Sequence, residues 1–250
     1  NINFKTLKMK QYYFLCGLPR CGNTLFASIL NQNTKVCVTA NSIIPTIFNA
    51  IKPIYKEKEF LTFPNYSSLD NILKNIFNNY YDNFDANVIV DRGPWGTPAN
   101  LKFLKAQNLN TKFIILKRPI LEILASFIKI ENCKNIEQRC EELMSDNGMI
   151  GKYYWSYKNL IKTENTMVIE YDDLCNKTYD IIDDVYAFLN LSKFKHRLDN
   201  LNQLDINGVS YNDNVWLGEY HTIRKSVDRN QYDVKNYLPK SVINKYRNLN

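Results

Sequence analysis

The chain has 250 residues, 45% hydrophobic and 23% charged, with 32 Lys and Arg against 25 Asp and Glu for a net charge of +7. This is an ordinary soluble composition, sized for one α/β domain with a substantial core or one domain with an insertion. No apolar run approaches the roughly 20 residues that span a bilayer. The basic residues are spread out rather than gathered into a stripe, which suits an anionic ligand and argues against a nucleic-acid reader. In chain order, residues 1–8 read as an upstream extension or an expression remnant, and residues 9–250 as one domain. Short β-branched and aromatic runs predict strands at 11–16, 35–39, 87–91, 112–117 and 166–171. Helical patterns fall at 24–32, 67–82, 97–107, 120–131, 136–163, 178–190 and 239–248. Residues 40–66, with Pro45, Pro53 and Pro64, read as an irregular segment with a short helix. Residues 195–237 carry little periodicity and end in a basic stretch.

Strands alternating with helices imply βαβ units, hence a three-layer α/β sandwich around a mainly parallel sheet. Ligands of such sheets gather at the carboxyl ends of the strands, so the segments after each strand are where chemistry is sought. Lys5, Lys8 and Lys10 before the apolar residues 12–18 faintly resemble a signal peptide. That run is too short and ends in the loop described next. Cys16, Cys21, Cys37, Cys133, Cys140 and Cys175 are scattered with no C-x-x-C pair and no metal-ligand spacing. They read as free thiols in a reducing compartment, which places the chain in the cytoplasm and implies no metal. Sequons at Asn65, Asn176 and Asn190 are chance hits in an asparagine-rich chain.

The most informative segment runs from Tyr12 to Thr24, an apolar strand entering a phosphate loop of P-loop NTPase-like form. Gly17 to Thr24 fits G-x-x-x-x-G-K-[ST], except that Asn23 stands where the lysine belongs. That lysine is the point charge that reaches the β- and γ-phosphates of a nucleoside triphosphate. Without it, backbone N–H groups and a helix N-terminus still cradle an anion. The cation has moved to Arg20, inside the loop, so the expected ligand is a phosphate-bearing nucleotide other than magnesium ATP. Pro19, Arg20, Cys21, Gly22, Asn23, Thr24 and Leu25 form this expected site. The segment resembles the loop with which sulfotransferases hold the 5′-phosphosulfate of 3′-phosphoadenosine 5′-phosphosulfate (PAPS).

Three later segments extend the resemblance to most of the chain. Arg118 closes the fourth strand and Ser126 lies eight residues on, roughly 12 Å along a helix that Pro119 opens. This pair is similar to the Arg and Ser with which sulfotransferases hold the donor's 3′-phosphate, a task suited to the planar arginine fork. The strand Met167–Glu170 runs into Tyr171-Asp172-Asp173-Leu174. It resembles a family segment whose tyrosine borders the adenine, which maps to Tyr171; Asp172 and Asp173 read as turn caps. Arg224-Lys225-Ser226 is similar to an Arg-Lys-Gly loop whose cations reach the 3′-phosphate, with Ser226 in place of the glycine and Arg229 as a further cation. The implied family is the PAPS-dependent sulfotransferases, in a looser bacterial or viral branch. The implied donor is PAPS, and the implied acceptor is a small molecule or glycan offering a hydroxyl or amine.

The residue that takes the acceptor's proton is open. Relatives use a histidine or a glutamate, and many place the glutamate after the second strand, where this chain has Thr39-Ala40-Asn41-Ser42. Asp91, at the end of the third strand, is one candidate, with Arg92 beside it to stabilise the sulfuryl oxygens. His221 is the other, because imidazole titrates in the range a general base needs. Trp95 and Trp216 are expected walls of an acceptor site between residues 40–66 and 205–220. Two rival readings stay open: a P-loop kinase of small molecules and a non-catalytic nucleotide-binding protein.

Overall fold

The computed structural model describes residues 10–109, 111–202, 205–212, 221 and 223–249. β1 (Gln11–Leu15) enters the phosphate loop and α1 (Asn23–Leu30), and β2 (Val36–Val38) follows. Next come α2 (Ile44–Ile51), a 3-10 turn at Lys52–Lys56, α3 (Lys58–Thr62), α4 (Tyr66–Lys74) and α5 (Ile76–Tyr80). β3 (Val88–Arg92), α6 (Pro98–Ala106), β4 (Phe113–Lys117) and α7 (Ile120–Glu131) form the middle of the fold. α8 (Ile136–Met144), α9 (Gly151–Leu160), β5 (Thr166–Glu170), α10 (Tyr171–Asn176) and α11 (Thr178–Phe188) come next. A two-stranded hairpin, β6 (Asp205–Ile206) with β7 (Val209–Ser210), a 3-10 turn at Val234–Asn236 and α12 (Lys240–Tyr246) complete the described elements.

The strands of the main sheet lie in the order β2-β3-β1-β4-β5, and every pairing is parallel. Continuous burial of Tyr12 to Leu15, Val88 to Arg92 and Phe113 to Leu116 explains why these runs read as wholly apolar strands. Parallel strands are covered by helices on both faces, so neither face keeps a polar alternation. Phe14, Phe77, Trp95 and Phe103 build an aromatic cluster against β1, with Phe14 and Trp95 centroids 5.1 Å apart. Each fully buried aromatic ring of this kind contributes on the order of 2–3 kcal/mol through apolar burial. Trp95 is therefore a core residue, not a wall of an acceptor site. Trp216 lies outside the described residues.

The register brings the functional loops to one edge. Leu15 pairs with Arg92 and with Ile114, and Lys117 pairs with Glu170. The segments beginning at Cys16, Gly93, Arg118 and Tyr171 thus leave the sheet side by side. From β1 the chain turns toward β2, and from β4 it turns toward β5. The two exits diverge between neighbouring strands, which opens the crevice that α/β sheets use for ligands.

Two expected helices are divided. The helix expected over 136–163 is α8 and α9, because the chain folds back through residues 145–150. A Cβ on Gly151 would lie 2.0 Å from the Ser145 carbonyl oxygen, so only glycine admits this close approach. The helix expected over 67–82 breaks at Asn75, where α4 ends and α5 begins. Residues 40–66 hold more helix than expected, and α10 occupies what reads in sequence as a turn.

Candidate active site

The loop from Gly17 to Gly22 is braced from within. Leu18 donates its N–H to the Leu116 carbonyl at 3.1 Å, which ties the loop to β4. Asn23 turns inward and donates Nδ2 to the Leu18 carbonyl at 2.6 Å. The residue in the lysine position therefore holds the loop's shape and brings no charge to a phosphate. Gly22 precedes α1 at φ 83, and a Cβ there would lie 2.9 Å from the Tyr171 ring. Glycine at this point lets the loop take a left-handed turn and pack on the tyrosine. Arg20 shares the left-handed region at φ 61 and donates Nε to Ser126 Oγ at 3.1 Å. α1 begins with no side-chain cap and no acid in its first turn, so the positive end of its dipole at the loop is not offset by a carboxylate of its own. Cys21 is buried with its thiol pushed up by desolvation, which excludes it as a nucleophile.

The segment after β4 adjoins the loop. Arg118 is 3% exposed and donates Nε and Nη2 to Glu122 Oε2, the latter at 2.7 Å. Its Nη1 reaches the Arg20 carbonyl at 3.3 Å, and Nη2 also donates to the Asn230 carbonyl. The guanidinium lies between the rings of Tyr171, at 4.5 Å, and Tyr232, at 5.1 Å. Tyr232 also meets Ser126 Oγ at 3.3 Å, and Tyr171 accepts the Asn230 N–H at 3.0 Å. Burial pushes the Tyr171 phenol up to about 12, so it stays a neutral hydrogen-bonding group. Arg229 pairs with Asp172 at 2.6 Å, which pins the 223–232 segment to α10. This pairing gives Asp172 a partner that the turn reading did not foresee.

Pro19, Arg20, Gly22, Asn23, Thr24, Leu25, Arg118, Ser126 and Tyr171 line one cleft of about 620 Å³. Arg92, His221 and Arg224 line it too; Cys21, Asp91 and Lys225 do not. Arg224 is held within its own segment, donating to Asn230 Oδ1 at 2.5 Å with Asp228 at 3.7 Å. Sequence reading missed Tyr232, Tyr153, Lys152 and Met149 in this lining. None carries a motif, because tertiary folding alone brings their segments to the sheet edge. Glu122 had a signal: it stands four residues after Arg118, in the first turn of α7.

Position removes Asp91 from the role of base. Its carboxylate is fully buried, accepting from Trp95 Nε1 at 2.9 Å on one oxygen and from the Tyr81 hydroxyl on the other. It holds the core together below the cleft. Burial raises its pKa from 3.8 to about 6. The folded chain therefore binds this proton more tightly than the unfolded chain. The stabilisation is full below about pH 4 and is lost as pH rises through about 6. Asp91→Asn should leave one of the two donors unpaired and cost about 1–3 kcal/mol. In urea unfolding the wild-type advantage over this variant should shrink between about pH 4 and pH 7. An advantage that grows over that interval would contradict the assignment.

Arg92 is 7% exposed and donates Nη1 to the Ala40 carbonyl at 2.6 Å and to Asn41 Oδ1 at 2.8 Å. Asn41 Nδ2 lies 3.4 Å from the Tyr211 hydroxyl, which meets His221 Nδ1 at 2.8 Å. A hydrogen-bonded chain thus links the end of β3 to His221 across the cleft. No three His, Cys, Asp or Glu side chains among the described residues gather as a metal-binding group. None of the described helices is long and apolar enough to cross a membrane.

A parallel sheet with a lysine-free phosphate loop and a buried Arg–Ser pair at the next strand end is the arrangement expected of a sulfotransferase. The sulfotransferase domain profile matches residues 10–250, and the chain belongs to that family. Among solved structures, the sulfotransferase domain from the curacin biosynthetic pathway is 16% identical with a TM-score of 0.56, over 96% of this chain and 91% of that one. The sulfotransferase domain from the Synechococcus PCC 7002 olefin synthase is 14% identical with a TM-score of 0.57, over 96% and 87%. A sulfotransferase from Alicyclobacillus acidocaldarius is 13% identical with a TM-score of 0.52, over 75% and 84%. At these identities the likeness is one of fold. No curated protein sequence matches the chain significantly.

Proposed function

We propose that the chain transfers a sulfuryl group from PAPS to a hydroxyl or amine of an acceptor bound beside Arg92 and His221. The observation that carries this reading is the convergence of Arg20, Arg118, Ser126 and Tyr171 on one cleft at the carboxyl edge of the sheet. The residues present fit such a donor. The glycine turn at Gly22 and the open N-terminus of α1 suit the 5′-phosphate, and Arg118 with Ser126 and Arg224 suits a 3′-phosphate. Tyr171 offers an apolar face and a hydroxyl for adenine. Bound there, PAPS would supply a sulfuryl group on a good leaving phosphate.

The chain's own groups then position and stabilise. Arg20 and the loop N–H groups balance charge growing on the leaving phosphate, the electrostatic contribution that dominates such transfers. Arg92, anchored by Ala40 and Asn41, faces the sulfuryl oxygens. His221, oriented by Tyr211, takes the acceptor's proton. The kinase reading loses its chief support with Asn23, because the side chain at the lysine position is spent on the Leu18 carbonyl. The test is transfer itself: the protein incubated with PAPS and a panel of phenols, alcohols and amines, without added metal. Formation of sulfated product with adenosine 3′,5′-bisphosphate supports the proposal. Phosphoryl transfer from magnesium ATP by the same preparation would overturn it.

A further inference from the structure

Beyond the cations proposed to serve the donor, the cleft is lined by one more, Lys152. The sheet order places Arg118 and Tyr171 over β4 and β5, Arg20 over β1, and Arg92 over β3. If the donor occupies the β1–β5 side as proposed above, its anionic groups are met by Arg20, Arg118, Arg224 and the loop N–H groups. Arg118 and Arg224 already have carboxylates beside them, Glu122 and Asp228. The β3 end differs. Lys152 lies in the first turn of α9, lines the cleft, and has no carboxylate in ion-pair contact among the described residues. α9 starts with no acid in its first turn and no side-chain cap, so its positive end adds to the lysine.

A second cation stands near that end. Arg92 is buried, and its Nε has no hydrogen-bond partner. Its guanidinium stands 6.0 Å from the ring of Tyr153, the neighbour of Lys152. α9 is fixed in this place by the turn after β3: Gly96 donates its N–H to Ser156 Oγ at 2.7 Å, and Asn159 donates to the Gly96 carbonyl at 2.9 Å. The lysine and the arginine therefore line one cleft from two anchored elements. Met149, Tyr153 and Ile223 add apolar surface to the same cleft.

We infer that the acceptor is a small anion, an apolar molecule that carries an acidic group besides its reacting hydroxyl, and that Lys152 selects it by that acid. The inference rests on the donor reading above and names the acceptor class for the same site. A charge-assisted contact of this kind is worth about a 10-fold preference or more.

The probes are three phenols alike except for charge: 4-hydroxyphenylacetate, its neutral amide and tyramine. Each is titrated by calorimetry into protein saturated with adenosine 3′,5′-bisphosphate, and each is assayed for sulfate transfer from PAPS. The expected order is acid, then amide, then amine, with at least about 10-fold between acid and amide. Lys152→Ala should erase most of that ratio, losing far more with the acid than with the amide, and Lys152→Glu should favour tyramine. Equal losses for all three probes would mean that Lys152 serves the donor or the fold, and would overturn the inference. Wild-type protein that shows no preference for the acid, or does not bind it, overturns it as well. Failure to bind the bisphosphate is a separate result that removes the donor reading and this inference together.

Discussion

Arg20→Ala is expected to lower kcat by about 10²- to 10³-fold, the cost of losing one preorganised donor at a developing negative charge. Arg20 is the loop's own cation, and its backbone is held at φ 61 with its carbonyl tied to Arg118. Its side chain reaches Ser126, so it stands between the loop and the residues proposed to hold the 3′-phosphate. If it balances charge on the leaving phosphate, its contact strengthens on the way to the transition state. Interactions of that kind raise turnover more than affinity. Binding of adenosine 3′,5′-bisphosphate should therefore weaken less than kcat falls. Arg20→Lys should recover part of the rate, since charge survives while bidentate geometry does not. Steady-state kinetics with any accepted substrate decide the matter, and wild-type turnover in Arg20→Ala would refute the role.

The second large effect is expected at Arg118. Its substitution by alanine should weaken binding of adenosine 3′,5′-bisphosphate about 10- to 100-fold, the worth of a charged hydrogen bond of roughly 1.5–3 kcal/mol. The structure sharpens this expectation. The guanidinium is already fixed between two tyrosine rings and by Glu122, so little side-chain entropy remains to be lost on binding. Because Arg118 is buried, its loss also leaves Glu122 without its cation, and some loss of stability should follow. The control is adenosine 5′-monophosphate, which lacks the 3′-phosphate: its binding should fall much less. Equal losses for both nucleotides would assign Arg118 to folding alone.

The first four strands were legible because each is a short, mostly buried apolar run, and Gln11–Leu15 and Phe113–Lys117 fall within one residue of the expected spans. The segments proposed to hold the donor's phosphates stood out in the sequence for a related reason. A loop, a strand end and the helix behind it are each contiguous in sequence, so Gly22, Arg118 and Ser126 keep a readable spacing. Asp91 shows where that reasoning stops. An acid at a strand end reads as catalytic, but Tyr81 reaches it from just beyond α5 and Trp95 closes over it from the next turn. No local pattern announces such burial. Tyr232 and Lys152 were invisible for the same reason, since only the crossing of distant segments brings them to the cleft. The break between α8 and α9 falls at Ser145-Asp146-Asn147-Gly148, a turn signature that the helix expected over 136–163 runs across, and the backbone contact at Gly151 fixes it.

The account turns on a site built for a nucleotide with phosphates on both its 3′ and 5′ positions. Calorimetric titration of the protein with adenosine 3′,5′-bisphosphate in the absence of magnesium, beside adenosine 5′-monophosphate and magnesium ATP, tests that most directly. The account predicts one-site binding of the bisphosphate, at least about 10-fold tighter than the monophosphate, with no requirement for the metal. Equal affinity for the two adenosine phosphates, or tighter binding of magnesium ATP than of the bisphosphate, would contradict it.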